Sequence, residues 1–153
     1  MKTVSRIAPL ALRIVFGLMF TAAGAVGLLQ LAPPPPHAGA AGAFMGGLAA
    51  AGYFIPLLKT VELGAGLLLL SGRFVPLALT LLAPIVVNIA AFHFLLAPEG
   101  APLAAFLVLA EIGLAWIYRA AFAPLLRRTS TSTPRAVEPA GMAAELDTQA
   151  GHA

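Results

Sequence analysis

The chain has no cysteine among its 153 residues. Thiol redox chemistry, iron–sulfur ligation and thiolate metal sites are therefore excluded within it. Charge is also scarce: Asp, Glu, Lys and Arg make up 10% of the chain, against roughly a quarter in soluble domains. A surface that meets water on every side cannot be built from so few charges. No basic run interleaves with exposed aromatics, so nucleic acid is not a partner class that the sequence supports. No glycine-rich loop follows a strand pattern to hold a nucleotide. No Ser/His/Asp constellation is placed for nucleophilic catalysis. The three histidines do not pair at equal depth on two helices for a haem, and no carboxylate/His spacing matches a di-iron bundle.

What the chain has instead is apolar length. Sixty per cent of residues are hydrophobic (60%), and they fall in long blocks rather than an amphipathic stripe. The blocks at 7–31, 52–71, 74–96 and 103–122 are each long enough to cross a bilayer. The expected fold is an all-α integral membrane protein, a four-transmembrane-helix antiparallel bundle embedded in a lipid bilayer. One membrane domain covers 1–126, and 127–153, rich in Ser, Thr, Pro and Ala, reads as a disordered cytoplasmic tail.

The net charge is +3 and the sequence pI about 10.0. Six of the nine basic residues, Lys2, Arg6, Arg73, Arg119, Arg127 and Arg128, flank apolar blocks. Both termini on the cytoplasmic side put all six at inner flanks and none in the two outer loops, which the positive-inside rule favours.

The first block starts basic, like a signal peptide, but it is too long and Arg13 interrupts it, so a retained helix is expected. Gly17 and Gly24 lie near the face of Arg13, where small residues permit close helix packing. Arg13 sits about 9 Å inside the cytoplasmic end. It can snorkel to headgroups or act as a buried partner for a carboxylate. The proline run at 33–36 stops this helix. An Ala/Gly-rich connection follows, with a short membrane-associated helix expected at 43–51 and His37 expected to be solvated. In the second span Lys59 and Glu62 stand at i, i+3 and can pair, with Gly66 as a small surface nearby. Gly72 and Arg73 make the tight inner turn. In the third span Pro84 is interior and predicts a kink. Asn88 lies one turn beyond it, and His93 is about 140° round from Asn88 near the outer end. The fourth span carries Glu111, with Trp116 and Tyr118 as an inner aromatic belt.

Polar groups at membrane depth are costly and often mark function. Counted by helix rise from the inner ends, Glu62 lies about 15 Å deep, Lys59 about 20 Å, Asn88 about 21 Å and Glu111 about 11–12 Å. His93 lies about 28 Å from the inner end, near the outer interface. Lys59, Glu62, Asn88 and Glu111 can thus share one layer, within reach of Arg13. The formal charges of Arg13, Lys59, Glu62 and Glu111 sum to zero, as a buried network requires. Two readings stand open. The layer is a clasp that holds helix register, or it is a polar pocket that takes a small headgroup, such as a quinone carbonyl, or relays a proton. His93 reads as a hydrogen-bonded interfacial histidine rather than a metal ligand.

Several stretches together resemble one family. They are Arg13-x-x-x-Gly17-x-x-Phe20-x-x-x-Gly24, Gly52-Tyr53-Phe54-x-Pro56-Leu57-Leu58-Lys59-x-x-Glu62, the run at 66–78 centred on Ser71-Gly72-Arg73, Ala83-Pro84-Ile85-Val86-Val87-Asn88 and Phe92-His93. They resemble the DoxX-like family of small four-helix membrane proteins over about residues 5–126. The resemblance implies a bacterial inner-membrane protein. Some relatives are subunits of quinone-linked oxidoreductases, including thiosulfate:quinone oxidoreductase. Others are associated with membrane complexes handling oxidative or thiol stress. The chain departs from many relatives at Gly27, where they carry Lys.

The function expected from residues and resemblance together is a subunit of, or accessory to, a quinone-linked membrane oxidoreductase. Partner subunits would carry the electron-transfer cofactors. A non-catalytic scaffold is the alternative. A small-solute transporter is a third reading, and at this length it would need a homo-oligomer.

Overall fold

A computed structural model gives the fold and describes residues 4–126. The described chain is helical, with no strand in it. The helices are α1 (Val4–Leu28), α2 (Gly39–Ala50), α3 (Phe54–Ser71), α4 (Val75–Leu95), α5 (Ala101–Ile117) and α6 (Arg119–Leu126), with a single 3₁₀ turn at Pro98–Gly100 before α5. Four segments, Ile7–Leu28, Phe54–Ser71, Val75–Leu95 and Pro98–Ile117, are long and apolar enough to cross a membrane. The tail expected at 127–153 lies outside the described residues.

The helix ends follow from local chemistry, and they correct the expected boundaries. α1 stops at Leu28, not at 31, because Gln30 takes a left-handed φ of 52° and four prolines follow. α2 begins earlier than expected, at Gly39. α3 begins just after Gly52, and Pro56 falls in its first turn, where no intrahelical N–H bond is lost. It ends at Gly72, whose φ of 70° turns the chain and whose N–H bonds back to the carbonyls of Leu68 and Leu69 at 3.2 and 3.1 Å. A Cβ at this φ would be strained, which is why glycine closes so short a turn. α4 runs unbroken past Pro84. The fourth span ends at Ile117, not 122, and a new helix starts at Arg119. There the Arg119 guanidinium donates to the Trp116 carbonyl at 3.1 Å and lies over the Trp116 ring. It thus adds a cationic donor to a carbonyl of the helix's last turn.

Packing is centred on α3, which lies against both α1 and α4, while α4 also lies against α5. The α1–α3 contact is backbone-close. A Cβ added at Gly24 would stand 2.5 Å from the Leu63 backbone nitrogen, and one at Gly66 would stand 2.6 Å from that of Thr21. Gly17 is against Leu69 and Leu70. Small residues at such crossings replace the water-driven association that an apolar solvent cannot provide. The core is apolar and includes Phe16, Phe20, Leu69, Leu79, Leu82, Leu107 and Leu114. Outside it, large side chains such as Leu18, Leu67, Val87, Leu109 and Trp116 are exposed on every long helix. Apolar surface of that extent suits lipid and not water.

Candidate functional site

α3 carries Lys59 and Glu62 one turn apart, so both side chains leave the same face. Lys59 Nζ donates to Glu62 Oε2 at 2.7 Å. The Glu62 side chain is 3% exposed and that of Lys59 24%. The Lys59 stem lies against Gly27 of α1, where an added Cβ would come within 2.6 Å of Lys59 Cδ. The missing side chain at 27 is the space that Lys59 uses.

The pair borders a cavity of about 450 Å³ between α2, α3 and α4. This is within the usual range of small-molecule pockets. Its walls are largely apolar, including Leu58, Ile85 and Phe92, and its polar groups are Lys59, Glu62, Asn88, His93 and His37. Asn88 is brought to the cavity by α4, one turn beyond Pro84. His93, despite its offset from Asn88 on the helix, borders the same cavity. The α4 residues at the cavity, Pro84, Ile85, Asn88, Ile89, Phe92 and His93, recur at one- and four-residue spacing and form one broad helix face that holds both. His93 Nδ1 lies 3.1 Å from the Ala97 carbonyl. A carbonyl only accepts, so Nδ1 is the donor in this contact. Gly100 lies against the imidazole so closely that a Cβ would collide with the ring.

His37 is the residue that sequence reasoning placed wrongly. It was expected in solvent, but its side chain is 17% exposed. Its ring meets Phe92 edge-on at 5.2 Å between centroids, and Phe92 also contacts Phe44 and His93. His37 Nδ1 stands 3.8 Å from Glu99 Oε1, an attraction that requires a protonated imidazole. The signal was faint but present: a histidine directly after a stiff proline run, opposite an acidic residue in the next connection on the same side. α2 covers the cavity from this side with Phe44, Met45 and Leu48.

Two other expected members of the polar layer sit elsewhere. Arg13 makes no ion pair among the described residues. Its Nη1 donates to the Tyr118 hydroxyl at 3.3 Å, and its guanidinium lies against Gly72. It therefore ties α1 to the α3–α4 turn and to the end of α5, away from the carboxylates. Glu111 is buried in the core contributed by α5, at 9% exposure. Its Oε2 has no hydrogen-bond partner among the described residues, and it does not border the cavity. The charges that sum to zero on paper do not form one network. Among the described residues no three His, Asp or Glu side chains gather as a metal-ligand set.

Chemically, the site offers a cationic donor held by a carboxylate, an amide that both donates and accepts, and an imidazole nitrogen, within apolar walls. That combination suits a ligand with an apolar body and a few hydrogen-bonding oxygens. In searches of family models, curated proteins and solved structures, nothing matched this chain.

Proposed function

We propose that this chain is a DoxX-like protein of the bacterial inner membrane, an antiparallel four-span bundle with both termini cytoplasmic. In this reading its cavity binds the head of a quinone as a subunit of, or accessory to, a membrane oxidoreductase. The observation that carries this reading is a half-buried Lys59–Glu62 pair that opens onto a cavity of about 450 Å³ instead of being packed over. A charged pair in an apolar setting is expensive to bury. One that faces an apolar-walled cavity retains a donor for an incoming carbonyl. Lys59 is the donor to one quinone oxygen, and Asn88 is a second donor across the cavity. Electrons come from a partner subunit. The departure from many relatives at Gly27 fits this geometry, because a lysine there would compete for the volume that the Lys59 stem fills.

Two observations favour the scaffold reading. Lys59 and Glu62 satisfy each other at 2.7 Å, and Arg13 bonds Tyr118 across 105 residues of sequence. The Arg13–Tyr118 contact holds α1 to the end of α5 without any ligand, and the Lys59–Glu62 pair within α3 needs none to be satisfied. The two readings separate on the purified protein. Quinone extracted from wild-type protein in native lipid is expected at one per chain, and to be lost in Lys59→Met and Asn88→Leu with the fold retained. A preparation without bound quinone, and without quinone reduction when co-purifying partners are present, leaves the scaffold.

A further inference from the structure

The cavity has a neighbour. A groove of about 220 Å³ lies between α3 and α4, and Phe54, Leu58, Pro84 and Ile85 line both it and the larger cavity. Its remaining wall is Leu57, Val61 and Leu81. No side chain in this wall can donate or accept a hydrogen bond. Leu57 is 57% exposed and Leu81 40%, so the groove opens on the outer surface of the α3–α4 pair. That surface belongs to two helices that are long and apolar enough to cross a membrane. The two spaces share four residues and differ in polarity. Lys59, Glu62 and Asn88 lie on one side of the shared wall, and only hydrocarbon lies on the other.

We infer that the two spaces form a single bent slot, and that the ligand is a two-part molecule with a hydrogen-bonding head and a long apolar tail. The head sits beside Lys59 and Asn88. The tail passes between Leu58 and Ile85 and lies in the groove against Leu57, Val61 and Leu81. Such a molecule partitions into the bilayer and enters sideways, between α3 and α4, with no passage through water. Leu57 and Leu81 then discriminate tailed from tail-less ligands while contributing nothing to recognition of the head. The inference rests on the quinone reading of the cavity. It adds the direction of entry and the residues that select the tail.

The test uses the full chain in lipid nanodiscs with three photoreactive probes. The first is a benzoquinone with a diazirine midway along a ten-carbon tail. The second is the same ring without a tail, with the diazirine on the ring. The third is a fatty acid of matching length with the diazirine at the same place. Cross-linked residues are mapped by mass spectrometry. The tailed quinone is expected to label the Leu57, Val61 and Leu81 region, and excess unlabelled tailed quinone to suppress that labelling. The tail-less ring is expected to label only around Lys59 and Asn88. Leu57→Trp and Leu81→Trp, both at exposed positions that can hold a larger ring, are expected to lose groove labelling and to keep tail-less labelling. If the tail-less ring labels the cavity but the tailed quinone marks some other surface, the slot is overturned and the quinone reading stands. Equal groove labelling by the fatty acid, not competed by quinone, also overturns it, since the groove then holds bulk lipid. If neither quinone labels the cavity, both readings fall together.

Discussion

Lys59 and Glu62 are unequal partners, and the inequality can be measured. Removing one member of a buried pair costs about 3–5 kcal/mol when the other stays charged and enclosed. Glu62 is enclosed, while Lys59 reaches the cavity. Lys59→Met is therefore expected to lower stability more than Glu62→Gln. The double substitution is expected to recover part of the loss, because no uncompensated charge remains. Thermal unfolding of the four proteins in one detergent checks the order. Equal losses for the two single variants would show that the pair is solvated from both sides. At this scale the Lys59–Glu62 contact was legible, since three residues apart on a helix places two side chains together whatever the fold. The Arg13 partner was not. Tyr118 lies 105 residues away, and only the packing of α1 beside the end of α5 selects it over a carboxylate.

Among the elements, α2 stands apart from the four long helices. Its contact with α4 and the 3₁₀ turn is a small cluster of Ala41, Met45, Phe92 and Ala97, separate from the main core. The glycines at its start and just past its end, Gly39 and Gly52, take φ values of 58° and 68°, which other residues rarely adopt. A helix held by few apolar contacts and flanked by such joints opens locally at low cost. Backbone amides of Gly39–Ala50 are expected to exchange hydrogen much faster than those of α3 and α4. His37→Ala removes the ring on Phe92 and the contact with Glu99, and is expected to quicken exchange in α2 without lowering the melting temperature. Hydrogen exchange read by mass spectrometry decides this. Protection of α2 equal to that of α3 would mean that it is part of the main fold and not a movable cover. The sequence indicated a helix in this connection but not what it covers, because an Ala/Gly-rich stretch has no periodicity to mark a buried face.

For the whole molecule, the arrangement in the membrane rests on charge placement. The absence of cysteine makes the test direct, because a single introduced thiol is the only one present. Gly46→Cys, at an open position on α2, and Ser71→Cys, exposed at the α3–α4 turn, are expected to react with an impermeant maleimide from opposite sides. Gly46→Cys reacts in intact cells and Ser71→Cys only after the membrane is opened. Reaction of both from the same side would refute the four-span arrangement.

The long apolar helices and their turns could be read from the sequence alone, because they are local consequences of composition. Long runs without charge suit lipid, and prolines and glycines stop helices where they stand. Even the misplaced ends, at Gln30 and Tyr118, are local shifts of a few residues. The cavity was decided by tertiary structure. Its size depends on the tilt and rotation of α2, α3 and α4, whose side chains line it. Tertiary structure also sorted the polar residues. A side chain's depth follows from its place along a helix, but its neighbours follow from how the helices are turned towards one another. That rotation brought His93 to the cavity of Lys59, Glu62 and Asn88 and left Arg13 and Glu111 away from it, while the connection before α2 brought His37.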